Sequence, residues 1–137
     1  EQGEIMVTER HKLELVAAAC AARANSYAPY SNYRVGAAIL LPDGSIITGV
    51  NVENASYGLS NCAERTAVYK AVTEGYKEIL AIAVCTDNGG SPCGACRQVL
   101  VEFAGDIPVL LSNDKGEVQE TTLYALLPAH FGPEHLD

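Results

Sequence analysis

The sequence predicts an α/β fold of three layers, α/β/α, in which a central mixed β-sheet of about five strands is flanked by helices. Apolar, β-prone runs at residues 35–41, 45–50, 79–85 and 107–112 alternate with segments of helical periodicity. Such alternation puts helices on both faces of a sheet. With 137 residues the chain can bury one real core but not two comfortable ones. Residues 1–137 are therefore read as a single domain, with 1–7 as a flexible N-terminal extension. Two of the helical segments begin with a cysteine just after loops that leave strands. Helix starts placed in that way gather at one edge of an α/β sheet, where ligands bind.

Along the chain, residues 8–25 have helical spacing, with Leu13, Val16, Ala17 and Cys20 on one stripe. The turn-rich Tyr27-Ala28-Pro29-Tyr30-Ser31 follows, and then two apolar runs joined by Pro42-Asp43-Gly44, a hairpin signal. Residues 51–61 carry Gly, Ser and three Asn and read as a loop. The next helix runs from Cys62 to about Glu74, with Asn61 and Glu64 at capping-box spacing and Gly75 at its C′ position. Residues 79–85 form a buried strand and 87–92 a loop. A helix then starts at Cys93 with Pro92 near its first position. Residues 107–112 are another buried strand, 113–116 a turn, 122–127 a short helix, and 128–137 an irregular tail.

Composition narrows the function. Hydrophobic residues make up 48% and charged residues 19%, with no low-complexity tract, so the chain reads as an ordinary globular protein. Nine Lys+Arg against seventeen Asp+Glu give a net charge of −8, which opposes non-specific contact with nucleic acid or anionic lipid. Neither a nucleic acid nor a membrane is expected as a partner. No run is long enough to span a bilayer, and the polar first ten residues lack the apolar core of a signal peptide. Met6 is the one methionine and marks a candidate natural start. Five cysteines, an odd number, argue against a disulfide framework and for a reducing, cytoplasmic location. Cys20 among alanines and Cys85 at the end of an apolar run are read as buried, inert thiols.

The other three cysteines carry chemistry. Cys93-Gly94-Ala95-Cys96 sets two thiols at i and i+3 on a helix start, so both can face one ion. Alone, the pair also suits a redox dithiol or half of a zinc ribbon. A ribbon needs a second such pair, which the chain lacks, and a redox pair leaves Cys62-Ala63-Glu64 unexplained. With Cys62 as third ligand, the set is three protein ligands plus an open position, as in catalytic zinc sites. Side chains in a first turn lean toward the helix N-terminus. Cys62 can thus bind the ion while Glu64 meets its water as general base and acid. Arg65 lies three residues after Cys62, on its face, and can donate to sulfur; the plainer alternative is a solvated surface arginine.

Cys-Ala-Glu followed by Pro-Cys-x-x-Cys is the zinc nucleobase deaminase signature in its three-cysteine form. NVENASYGLSNCAERTAV together with SPCGACRQV resembles the small, homotetrameric cytidine deaminases, and the likeness runs from Tyr27 to Pro128. The resemblance implies a cytidine deaminase-like fold, one Zn²⁺ per subunit, and hydrolytic deamination of cytidine and deoxycytidine with release of ammonia, a step of pyrimidine salvage. It implies that Glu64 moves the protons, and that Arg65 and Gln98 offset the charge of the cysteine-rich site. It gives Asn51 and Glu53 the ribose hydroxyls, and Ala63 a backbone contact to the base edge. Tyr33 lines the base pocket where the family usually has phenylalanine. Tyr57 and Phe131 are implied to reach a neighbouring subunit's site in a homotetramer. Three rivals stand beside this reading: a deaminase of a related nucleoside such as blasticidin S, an RNA- or DNA-editing enzyme, and a non-catalytic module with structural zinc. Glu53 favours cytidine, and the acidic balance disfavours editing.

Overall fold

A computed structural model describes residues 5–136 of the chain. Its elements are α1 (Glu9–Ala22), β1 (Gly36–Leu40), β2 (Ile46–Val50), α2 (Ala63–Thr73), β3 (Ala81–Cys85), α3 (Gly94–Phe103), β4 (Pro108–Ser112), β5 (Val118–Thr122) and the short α4 (Leu123–Leu126). The five strands form one sheet in the order β2-β1-β3-β4-β5. Only β3 and β4 pair in parallel, and α3 is the crossover between them; the other neighbours are antiparallel. The predicted mixed sheet between helical layers is present. β5, which the residue pattern did not locate, is an exposed edge strand. Its Val-Gln-Glu-Thr-Thr has too few apolar residues to announce itself.

Local chemistry fixes the ends of these elements. Thr8 caps α1: its hydroxyl accepts from His11 N at 3.2 Å while Thr8 N donates to His11 Nδ1 at 3.0 Å. In the β1–β2 turn, Asp43 accepts from Ser45 N at 3.0 Å, and Gly44 takes a φ of +89°. Beyond α2, Gly75 has a φ of +99°. Gly75 N donates to Val72 O and Tyr76 N to Ala71 O, both at 3.0 Å, which is a Schellman termination.

Strand alternation divides the core into two layers. Ala38, Leu40, Ala81, Ala83, Cys85 and Leu110 face α1, meeting Leu15 and Ala19. Ala37, Ile39, Ile82, Val84, Val109 and Leu111 face the other way, against Ala67, Val68 and Ala71 of α2 and Leu100 and Val101 of α3. Two glycines permit the close approach of the helices. A Cβ on Gly36 would lie 2.1 Å from Ala19 O of α1, and one on Gly49 would lie 2.5 Å from Ala67 N of α2. The second contact seats the first turns of α2 directly on β2.

Several expectations need correction. The buried face of α1 centres on Leu15 and Ala19 with the expected Val16 and Cys20 packed at its margin, whereas Ala17 is exposed and Leu13 is 73% exposed. The many alanines of α1 leave its hydrophobic phase poorly marked, and contact with Ala38 and Ala83 chooses the face. Cys20 and Cys85 are not separate thiols. They are joined as a disulfide, because α1 crosses the end of β3 and brings their Cα atoms within 5.2 Å. The odd count of five is therefore one pair plus three free thiols. Of the expected flexible extension, residues 1–4 lie outside those described, while Ile5 and Val7 pack against the α1-side core. Among the described residues no helix is long and apolar enough to cross a membrane.

Gly49→Ala is expected to destabilise the protein by about 1–3 kcal/mol through overpacking against the α2 backbone. Denaturant titration reads this as a lower midpoint at unchanged slope. A change below about 0.5 kcal/mol, the range of ordinary surface substitutions, would contradict the close-approach account.

Candidate active site

The first turns of α2 and α3 meet beside a cleft of about 430 Å³ lined by Tyr33, Asn51, Glu53, Cys62, Glu64 and Cys93, among others. Cys62 is the N-cap of α2 and Cys93 the N-cap of α3, neither with a side-chain cap bond, and Cys96 lies one turn into α3. Asn61 is therefore not the expected cap. Its backbone pairs with Val52, N to O at 2.9 Å in both directions, which makes it part of a strand-like bridge before the helix.

The three thiols converge. Cys62 Sγ is 3.8 Å from Cys93 Sγ, Cys93 Sγ is 3.5 Å from Cys96 Sγ, and all three sulfurs lie within 4.8 Å of one another. Among the described residues no other group of histidine, cysteine and carboxylate side chains is gathered so as to hold an ion. Arg65 Nη2 donates to Cys62 Sγ at 3.2 Å, so this arginine is not merely solvated. Its Nε is buried without a partner, and the guanidinium is bound still more firmly to its proton by the Cys62 sulfur. The Cys62 thiol is lowered to about 5, first by a hydrogen bond from Cys96 and further by Arg65, with burial opposing. Cys96 is pushed the other way by the same bond and by burial. A sulfur already anionic, beside two more within ion-spanning distance at unfilled helix N-termini, is a soft donor set suited to zinc.

Glu64 is buried to within 5% of its surface, in the first turn of α2. Desolvation raises its carboxyl above the usual range, and the negative charge on Cys62 adds to the effect. Ala63 is fully buried and also lines the cleft.

The residues expected to hold substrate are placed unevenly. Asn51 is buried, and its side chain is already in use. Oδ1 accepts from Val35 N at 3.0 Å and from the Ser26 hydroxyl, and Nδ2 donates to Tyr33 O at 2.8 Å. Glu53 accepts from Tyr30 N at 3.0 Å and Ser31 N at 3.2 Å, as well as from the Ser31 hydroxyl. These bonds, the Ser31 hydroxyl foremost, keep its carboxyl low. Tyr33 and Tyr57 line the cleft, Tyr57 with 76% of its surface exposed and its ring edge-on to Tyr30. Phe131 is not among the cleft residues; it is 58% exposed on the C-terminal segment. Gln98 does not turn to the sulfurs. Its Nε2 donates to Phe131 O at 2.8 Å and ties that segment to α3. Sequence reasoning passed over Thr86, Gly90 and Ser91, which line the cleft, and Arg97, whose guanidinium donates to Pro92 O at 2.7 Å and Leu126 O at 2.5 Å. Arg97 directly follows Cys96, so the motif itself pointed to it; the other three carry no pattern.

A three-thiol zinc centre at two helix N-termini, with a buried carboxylate beside it and a nucleoside-sized cleft in front, defines a zinc enzyme of the α/β class. The family model described as "Cytidine and deoxycytidylate deaminase zinc-binding region" matches residues 9–111. The chain belongs to that family. It is 51% identical over 126 residues to the cytidine deaminase of Sporosarcina psychrophila, covering 90% of this chain and 93% of the relative. It is likewise 51% identical over 126 residues to the cytidine deaminase of Halalkalibacterium halodurans, covering 90% and 96%. The crystal structure of cytidine deaminase from Burkholderia pseudomallei superposes with a TM-score of 0.83 at 49% identity, covering 90% of this chain and 99% of that one.

In metal-free protein, Cys62 is expected to react with iodoacetamide as a thiolate, its rate rising as pH climbs through about 5 rather than near the ordinary 9.0. Arg65→Gln removes a hydrogen bond to the anion and must shift that profile upward. Superimposable profiles for the two proteins would show that Arg65 does not stabilise the thiolate.

Proposed function

We propose that this protein is a zinc-dependent deaminase that hydrolyses cytidine and deoxycytidine to uridine and deoxyuridine, releasing ammonia. The observation that carries the reading is the pairing of Glu64, a buried carboxylate with a raised pKa, with Cys62 two positions earlier at the head of the same helix. The relatives' names supply the substrate class.

Cys62, Cys93 and Cys96 hold the ion, and its chemistry, when bound, is Lewis acidity that makes water nucleophilic near neutral pH. Glu64 takes the proton that water gives up and delivers it to ring N3 as oxygen adds to C4. It then moves the proton of the new C4 hydroxyl to the exocyclic amine, so that the C4 carbonyl forms as the C4–N bond breaks and ammonia leaves. Burial keeps this proton off bulk solvent and raises the carboxyl's affinity for it. Arg65 offsets part of the negative charge of three sulfurs. Ala63 meets the base edge through its backbone and Tyr33 walls the base.

Glu53 takes a ribose hydroxyl through Oε2, which accepts once, whereas Oε1 already accepts from two backbone N–H groups. Asn51 has one Nδ2 hydrogen left for the same task. A homotetramer with shared sites is part of this reading. It is supported by Tyr27, Tyr30, Tyr57 and Leu59, exposed on the segments flanking the cleft, and by Phe131, exposed outside its own cleft. We also assign the protein to pyrimidine salvage in the cytoplasm, a reading that the nucleoside substrate supports and the Cys20–Cys85 disulfide does not.

Glu64→Gln is expected to retain stoichiometric zinc while losing ammonia release by a factor of about 10² to 10⁴, the reach of general acid–base catalysis. Zinc content and ammonia release from cytidine, measured on the same purified sample, check both halves. Near-parental turnover in the variant would remove the role given to Glu64.

A further inference from the structure

The segment of residues 86–92 leaves β3, forms one wall of the cleft and delivers Cys93 to the head of α3. It has no regular structure and contains consecutive glycines, Gly89 with a φ of +76°. Its backbone is held at its start by Thr86 N on Ser112 O at 3.0 Å and by a bridge between Asn88 and Asn113, and beyond these its position is set by side chains. Thr86 is 2% exposed, and its Oγ1 accepts from Gly89 N at 2.7 Å and Gly90 N at 3.0 Å. Asn88 Oδ1 accepts from Gly90 N at 3.1 Å and, from the chain just before β1, from the Tyr33 hydroxyl at 3.0 Å. Tyr33 is itself well anchored: its N donates to Ser31 Oγ at 3.0 Å and its O accepts from Asn51 at 2.8 Å. On the other side, Arg23 pairs with Asp87. A Cβ on Gly90 would lie 2.9 Å from the Tyr33 hydroxyl, so that hydroxyl rests on bare backbone.

We propose that the Tyr33 hydroxyl, acting through Asn88, is a positioning device for the loop that carries Cys93. It sets where residues 86–92 sit against the β1 side of the cleft, and with them the width of the cleft and the grip on the metal. The ring of Tyr33 walls the base in the deaminase reading; the hydroxyl has this separate task, and only the kinetic arm of its test rests on that reading.

Tyr33→Phe keeps the ring and removes the hydroxyl. On zinc-loaded protein, a chelator should strip the metal about two- to tenfold faster, the range one neutral hydrogen bond supports. The KM for cytidine should rise by a similar factor with a smaller change in kcat, since Glu64 stands on α2 and not on this loop. Asn88→Ala should lose zinc at least as fast, since it also releases Gly90 N and the Thr86 hydroxyl, and the double variant should be no worse than Asn88→Ala alone. Gly90→Ala should do less damage in the Tyr33→Phe background than in the parent, because the atom it strikes is gone. Parental zinc loss in Tyr33→Phe, or effects of the two single variants that multiply, overturn the proposal. Protein that released no ammonia at all would sink the deaminase reading while leaving the zinc-loss comparison intact.

Discussion

The structure is organised around keeping three sulfurs within 4.8 Å of one another at the ends of two helices. Ionised sulfurs held this close repel one another. The fold holds them with rigid elements. α3 is the crossover of the parallel β3–β4 pair, so its start is fixed at the carboxyl edge of β3. The start of α2 is fixed by Gly49, where β2 touches the helix backbone without a side chain between them. First-turn amides that no carbonyl fills then face the sulfurs from both helices, and Arg65 supplies the remaining positive charge from within α2.

The polar residues around this centre act as braces before they act as contacts. Asn51 joins the end of β2 to the segments holding Ser26, Tyr33 and Val35. Glu53 fixes the turn at Tyr30 and Ser31. Arg97 ties Pro92, immediately before a metal-binding cysteine, to Leu126 in α4. A side chain already held by two or three bonds loses little further freedom when a ligand arrives, which makes such residues good substrate contacts as well as good struts. Glu53 suits both tasks better than Asn51, whose carbonyl oxygen already accepts twice.

How much of this was legible in the sequence follows from the range of the interactions. The helix starts at Cys62 and Cys93, the β1–β2 turn and the C-cap at Gly75 are local, and each was readable within a few residues. The three-thiol set was readable because its spacing has few other uses. The Cys20–Cys85 pairing was not, since 65 residues separate the partners and only the crossing of α1 over β3 joins them. The face of α1 was misjudged because alanine marks no phase, and β5 was missed because an edge strand buries little. The capping box at Asn61 failed to a competitor: the residue's backbone is taken by Val52, and burial draws Glu64 inward instead of back over the cap. The bond from Gln98 to the backbone at Phe131 was not readable either, since no local pattern ties that tail to α3.

That competition over Glu64 also explains why the carboxyl is useful where it is. A capping glutamate is solvated, ionised and bonded to the backbone, and such a group has little reason to hold a proton. Glu64 instead loses its water to burial, the leading cause of its raised pKa, and has the anion of Cys62 two positions away as a second cause. A divalent cation held by three thiolates leaves a centre that is still net negative, and the desolvation of the buried carboxyl remains beside it. The carboxyl therefore keeps an elevated proton affinity from its place in the fold. A group that must take a proton and return it within one turnover needs that kind of affinity. The first turn of α2 provides it by turning the side chain into the core rather than out over the helix end.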